Sequence, residues 1–327
     1  TAVGGSGRIR HTSSPYLSPD GSMLACVVTE STGYPRAVQR PLGPGGLDGA
    51  GPERDVVLPV NGPVRRVAYS PNGKWLACEV APDGGERERI WLVTTDPEDR
   101  DVYPVDTYSD ATVQVVCWDG DLLAVTAFDS EGLAEGRLVD PDTGETTVVD
   151  RRMGGALVHA RDGAALFRVG ARGQRELLRI LPDGSWKPLL PVDPGSTTEA
   201  GLILDAGGPY RPMKALVRTD HSADRMGLLV VESHGDLTEF WPVAYRDDAD
   251  LDWFEVSLDR TTAVLLWNVN GGLSEIEILD LTAARPRVID RPPLPEVVAS
   301  APTITADGRL LAVTVQQRHT AEVERHR

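Results

Sequence analysis

The segment Ser18-Pro19-Asp20-Gly21-Ser22-Met23-Leu24-Ala25-Cys26 returns as Ser70-Pro71-Asn72-Gly73-Lys74-Trp75-Leu76-Ala77-Cys78. A repeat constrains the fold more than any single motif, because each copy is one unit that buries its apolar faces on the next. Asp119-Gly120-Asp121-Leu122-Leu123-Ala124, Asp162-Gly163-Ala164-Ala165-Leu166 and Asp307-Gly308-Arg309-Leu310-Leu311-Ala312 are further copies. Two copies are degenerate. Ser257-Leu258-Asp259-Arg260 carries Arg where the glycine belongs, and Ala206-Gly207-Gly208-Pro209 is a lengthened turn. The glycines or their stand-ins fall at 21, 73, 120, 163, about 208, 260 and 308. The mean period of about 48 residues is close to the length of a propeller blade.

Within each unit, Asp-Gly or Asn-Gly supplies the positive φ of a tight hairpin turn. Short β-branched runs flank it, as in Val113–Val116 before and Leu122–Val125 after. A second hairpin follows in most units, as at Leu138-Val139, Asp140 to Gly144 and Thr146 to Val149. Two hairpins make a four-stranded sheet, and such sheets repeated about an axis make a propeller. A pair of β-sandwiches also has regularly spaced strands, but would not repeat one Asp-Gly-x-x-Leu-Ala frame. The expectation is an all-β, seven-bladed β-propeller of four-stranded antiparallel blades. Residues 1–14 would form a leader or closing segment and 15–327 the propeller, with units starting near 15, 64, 113, 155, 200, 252 and 301. The last blade is expected to be incomplete, with Ala321 to Arg325 beginning a third strand and the natural chain continuing beyond Arg327.

Composition narrows the partners. The 327 residues carry a net charge of −16, which disfavours nucleic acid and an anionic membrane surface, both of which need a basic face. Gly (33) and Pro (25) are frequent enough to favour short elements over long helices. No apolar run reaches the length of a membrane span, and the first residues lack the apolar core of a signal peptide. Cys26, Cys78 and Cys117 lie in apolar runs and are expected to be buried free thiols, as in the cytoplasm. The Arg, Ala and Gly usage is that of a high-GC bacterium.

The Ser-Pro-Asp-Gly-x-x-Leu-Ala frame, followed about a dozen residues later by Arg89-Ile90-Trp91-Leu92-Val93, resembles the propeller of prolyl oligopeptidase family serine peptidases. TolB-like and tricorn-like propellers share it. The blade count of seven favours the peptidase family. The resemblance implies a non-catalytic domain that gates substrate access to, and packs against, a C-terminal α/β-hydrolase domain. The implied partners are that domain and a peptide substrate. The alternative is a free-standing propeller serving as an interaction or scaffold module.

No catalytic machinery is legible. A nucleophile elbow needs Gly-x-Ser-x-Gly, and Gly4-Gly5-Ser6-Gly7-Arg8 fails at its last position. The histidines lack zinc spacing, so no metal and no cofactor are expected. Gly43 to Pro52 lacks the following helix that a phosphate cradle needs and is expected to be a loop. Asp247-Asp248-Ala249-Asp250-Leu251-Asp252 lacks the glycine of a calcium loop. It is expected to be an exposed inter-blade connector, with Asp250 and Asp252 as candidates to meet a cationic group. Arg65 and Arg66 enter the first strand of the second unit, where alternation sends them to opposite faces. With Glu199 they are candidates to hold a peptide terminus, a role the resemblance implies.

Overall fold

The repeated frame is a wired turn. In four units, a hydroxyl accepts from the backbone N–H five residues on and donates to the side-chain oxygen two residues on. Ser18 accepts from Met23 (2.9 Å) and donates to Asp20 (2.6 Å). Ser70 does the same with Trp75 (2.9 Å) and Asn72 (2.7 Å). Ser257 pairs with Thr262 (3.1 Å) and Asp259 (2.6 Å), and Thr305 with Leu310 (3.1 Å) and Asp307 (2.8 Å). Such side-chain bonds fix the chain reversal locally, before any tertiary contact. The residue three after the hydroxyl takes a positive φ: Gly21 (72°), Gly73 (72°), Arg260 (62°) and Gly308 (71°). At Arg260 an L side chain occupies a backbone region that disfavours it.

The computed structural model describes residues 10–43, 46–47, 51–96, 98, 101–105, 112–181, 183–269, 272–283, 285–294 and 297–317. Six four-stranded antiparallel sheets follow one another along the chain. Blade 1 holds β1 (Arg10–Leu17), β2 (Met23–Glu30), β3 (Arg36–Pro41) and β4 (Arg54–Asp55). Blade 2 holds β5 (Val64–Tyr69), β6 (Trp75–Val80), β7 (Arg89–Thr94) and β8 (Val102–Val105). Blade 3 holds β9 (Thr112–Asp119), β10 (Leu122–Phe128), β11 (Leu133–Val139) and β12 (Thr146–Met153). Blade 4 holds β13 (Ala156–Arg161), β14 (Ala164–Val169), β15 (Glu176–Ile180) and β16 (Trp186–Pro188). Blade 5 holds β17 (Thr198–Asp205), β18 (Met213–Thr219), β19 (Gly227–His234) and β20 (Leu237–Ala244). Blade 6 holds β21 (Ala249–Val256), β22 (Thr262–Val269), β23 (Leu273–Asp280) and β24 (Arg287–Asp290).

A last hairpin follows, in which β25 (Val297–Ala299) pairs with β28 (Val315–Gln317), and β26 (Thr303–Ile304) with β27 (Leu311–Ala312). The Ser300 N–H donates to the Thr314 carbonyl (2.8 Å) between the two pairs. This hairpin sits between blade 6 and blade 1. The Asp259 N–H donates to the Ala306 carbonyl (3.1 Å), and the Ala306 N–H to the Pro19 carbonyl (3.2 Å). The expected third strand at Ala321 to Arg325 lies outside the described residues, as does the glycine-serine leader. No helix among the described residues is long and apolar enough to cross a membrane.

The core is divided by blade interfaces. One cluster joins Ala77, Ile90 and Leu92 of blade 2 to Val113, Leu123 and Val125 of blade 3. Leu76 and Cys78, on the opposite face of the same strand, join Ala25, Val27 and Ala37 of blade 1. β6 is therefore buried along its whole length, which is why second strands read as unbroken apolar runs. Polar ties cross successive interfaces. Glu79 accepts from the Val115 N–H (2.9 Å), and the Thr126 hydroxyl accepts from that of Leu157 (3.2 Å). Arg168 donates to the Glu199 carbonyl (3.0 Å) and Arg218 to that of Asp252 (2.8 Å).

Two substitutions test the turn. Ser70→Ala removes both side-chain bonds of a buried turn and should cost about 1–2 kcal/mol in urea unfolding, whereas exposed Ser22→Ala should shift stability by less than about 0.5 kcal/mol. Arg260→Gly restores the residue that the left-handed backbone favours. It should raise stability by about 1 kcal/mol in the same measurement.

Candidate functional site

The first strands of all six blades, together with β26, line one cavity of about 420 Å³. It opens on the axis about which the blades are arranged. Each first strand also carries a one-residue irregularity in its pairing with the second, between Val64 and Arg66, Val115 and Cys117, Leu157 and His159, Thr198 and Ala200, and Leu251 and Trp253. In β1 the slip falls between Ser13 and Tyr16. Such bulges re-aim side chains next to functional surfaces. Arg65, Glu199 and Asp252 are thus equivalent residues, each the extra residue of its strand.

Placement separates the candidates. Arg66 and Glu199 line the channel. Arg65 and Asp252 are exposed and, like the half-buried Asp250, absent from its lining. The acidic run is not a connector throughout, since β21 starts at Ala249 and places Asp250 and Asp252 within it. Asp250 pairs with Arg225 (2.9 Å) and accepts from the Met226 N–H (3.1 Å). Burial, with Asp250 nearby, lifts the Asp252 carboxyl above its ordinary value. Cys26 and Cys78 are buried as expected, but Cys117 is half-buried because it faces the channel. Burial pushes the three thiols up, to about 11, 12 and 12, so they stay protonated.

The channel concentrates charge that the sequence alone does not reveal. Its lining includes the guanidinium groups of Arg66, Arg168, Arg218 and Arg260 against the carboxylates of Glu199 and Glu255. Arg66 donates to the Val115 carbonyl (2.8 Å), and Arg168 lies 3.6 Å from the Glu199 carboxylate. Arg175 bonds the same carboxylate. Burial raises Glu255 from 4.5 to about 7, although Arg66 and Arg260 pull it down. Burial and the neighbouring Arg161 lower Arg260 to about 10. His159, buried beside Arg260 and Arg161, falls to about 3 and is neutral, so its Nδ1 accepts from the Ile203 N–H (3.4 Å). Tyr16 is pushed up by burial. Among the described residues no group of His, Cys, Asp and Glu could hold a metal ion. Of these groups, Arg260 carried a legible signal, as the one arginine in a glycine position of the repeat.

Solved structures show the same architecture. A structure from a study of two prolyl endopeptidases superposes with a TM-score of 0.62 at 16% identity, over 91% of this chain and 45% of that one. Prolyl oligopeptidase B from Galerina marginata, bound to a 25mer macrocyclization substrate, gives a TM-score of 0.65 at 15% identity, over 94% and 47%. The propeller domain of the Trilobed protease from Pyrococcus furiosus gives 0.58 at 13%, over 85% and 81%. The fold is a β-propeller, as in these structures. The chain spans about half the length of the oligopeptidases it matches. Its sequence matches no family model and no curated protein.

In a propeller of this type, a carboxyl on the axis becomes a reporter of the channel. Folding raises the Glu255 pKa, so the folded state holds the proton more tightly than the unfolded one. The resulting stability is complete below about 4.5 and is lost as pH rises through about 7. Melting temperature should therefore fall across that window, more steeply than in Glu255→Gln. Carbon-detected NMR of labelled glutamate should show one carboxyl titrating near neutrality.

Proposed function

We propose that this chain is the propeller portion of a serine peptidase, packed against an α/β-hydrolase domain and restricting access to it. The observation that carries this reading is coverage: over nine-tenths of the chain superposes on less than half of each oligopeptidase chain. In this reading the described residues form one seven-bladed ring that begins at β1 (Arg10–Leu17), so that Arg10 to Ser14 belong to blade 1 and not to a leader, with the last hairpin as the inner half of blade 7. The substrate is a peptide narrow enough to meet the channel. Arg66 of blade 2 and Glu199 of blade 5, of opposite charge and on separate blades of the lining, are suited to its two termini. Arg65, Asp250 and Asp252 lie outside the lining and have no part in that contact. Protonated free thiols fit a reducing compartment such as the cytoplasm.

The test is the native polypeptide. An antibody against this chain should detect, in its source cells, a band well above 35.3 kDa that a fluorophosphonate serine probe also labels. An unlabelled band at 35.3 kDa would instead favour a free-standing interaction module.

A further inference from the structure

Arg260 departs from the repeat in sequence and in energetics. The turn geometry asks for glycine, yet the chain places an arginine there at φ 62°. Strain of this kind persists where the surroundings or a function hold it in place. The side chain enters the channel, and its buried Nε has no hydrogen-bond partner. None of its side-chain nitrogens makes a hydrogen bond or ion pair among the described residues. A buried donor left unpaired is costly unless a ligand meets it.

The other lining arginines each donate to the protein, although the buried Nε of Arg218 also lacks a partner. Arg168 bonds the Glu199 carbonyl and Arg218 those of Leu251 and Asp252. Arg66 bonds a backbone carbonyl and forms no ion pair within 4 Å among the described residues. Arg66 and Arg260 both act on Glu255 and on Cys117, so their fields overlap at this end of the channel. Pro19, Pro71 and Leu258, all from the repeat turns, form the rim there, with Tyr16 and Trp253 on the walls. A guanidinium fork matches a planar carboxylate with two parallel bonds. The apolar and aromatic walls suit an organic body more than a fully hydrated phosphate.

We propose that the turn end of the channel is a binding site for the carboxylate of a small organic acid with an apolar body, seated on Arg260 in the field of Arg66. The site belongs to this chain and does not depend on a hydrolase domain being attached. The whole cavity of which it is one end, about 420 Å³, lies within the range of small-molecule pockets.

The probes are N-benzoylglycine, its neutral amide N-benzoylglycinamide, and inorganic phosphate, titrated calorimetrically into the 327-residue chain. The acid should bind at least tenfold tighter than the amide and than phosphate. Arg260→Gly should weaken the acid tenfold or more, leave the amide unchanged and keep the melting temperature at or above that of the parent. Arg66→Gln, which leaves the turn intact, should weaken the acid several-fold. Equal binding of acid and amide, phosphate as tight as the acid, undiminished acid binding in Arg260→Gly or Arg66→Gln, or no saturable acid binding below about 10 mM would each overturn the proposal.

Discussion

Each blade is a sheet with two apolar faces, and a four-stranded sheet cannot bury both by itself. Packing against a neighbour on either side is the constraint on which the structure depends. It explains why the buried residues divide by interface, with Leu76 and Cys78 turned to blade 1 and Ala77 turned to blade 3. The same pattern continues where Leu166 and Leu177 of blade 4 meet Ile203 and Val217 of blade 5. Stability in such an array is approximately a sum over neighbouring pairs. The polar ties at Glu79, Thr126, Arg168 and Arg218 fix how one blade is set against the next, because each second strand holds the backbone of the following first strand.

The first strands pay for that arrangement with one edge that has no strand partner, and the channel is where those edges converge. A chain of net charge −16 thus encloses a lining with more guanidinium groups than carboxylates. Field lines in a narrow, low-dielectric passage are focused. A ligand at its mouth meets a local potential unlike that of the acidic exterior. Burial acts on the same groups, lifting Glu255 toward neutrality and keeping His159 uncharged.

The turns and second strands were legible in the sequence because their determinants are local. A Ser, an Asp two residues on and a Gly one further describe a closed set of bonds, and they recur. Channel-facing charge was far less legible. Strict alternation assigns faces only while pairing is regular, and the bulges at Arg65, Glu199 and Asp252 reset it within the strand. The acidic run reads as a connector in sequence because four aspartates among six residues seldom enter a strand. Arg225 and the Met226 N–H satisfy Asp250 there, and neither could be placed beside it from sequence spacing. Cys117 shows the same limit, with an apolar neighbourhood in sequence and a channel in space.

Among the described residues the last hairpin joins blade 1 through few hydrogen bonds: the Ala306 N–H to the Pro19 carbonyl, the Leu17 N–H to the Thr303 hydroxyl, and the Gln316 side chain to His11 (2.7 Å). Elsewhere neighbouring blades share broad apolar interfaces. Mechanically the molecule is a clasped bracelet. A pull that separates β1 from the last hairpin loads the clasp alone, and once it parts, the blades can peel away in sequence instead of yielding together.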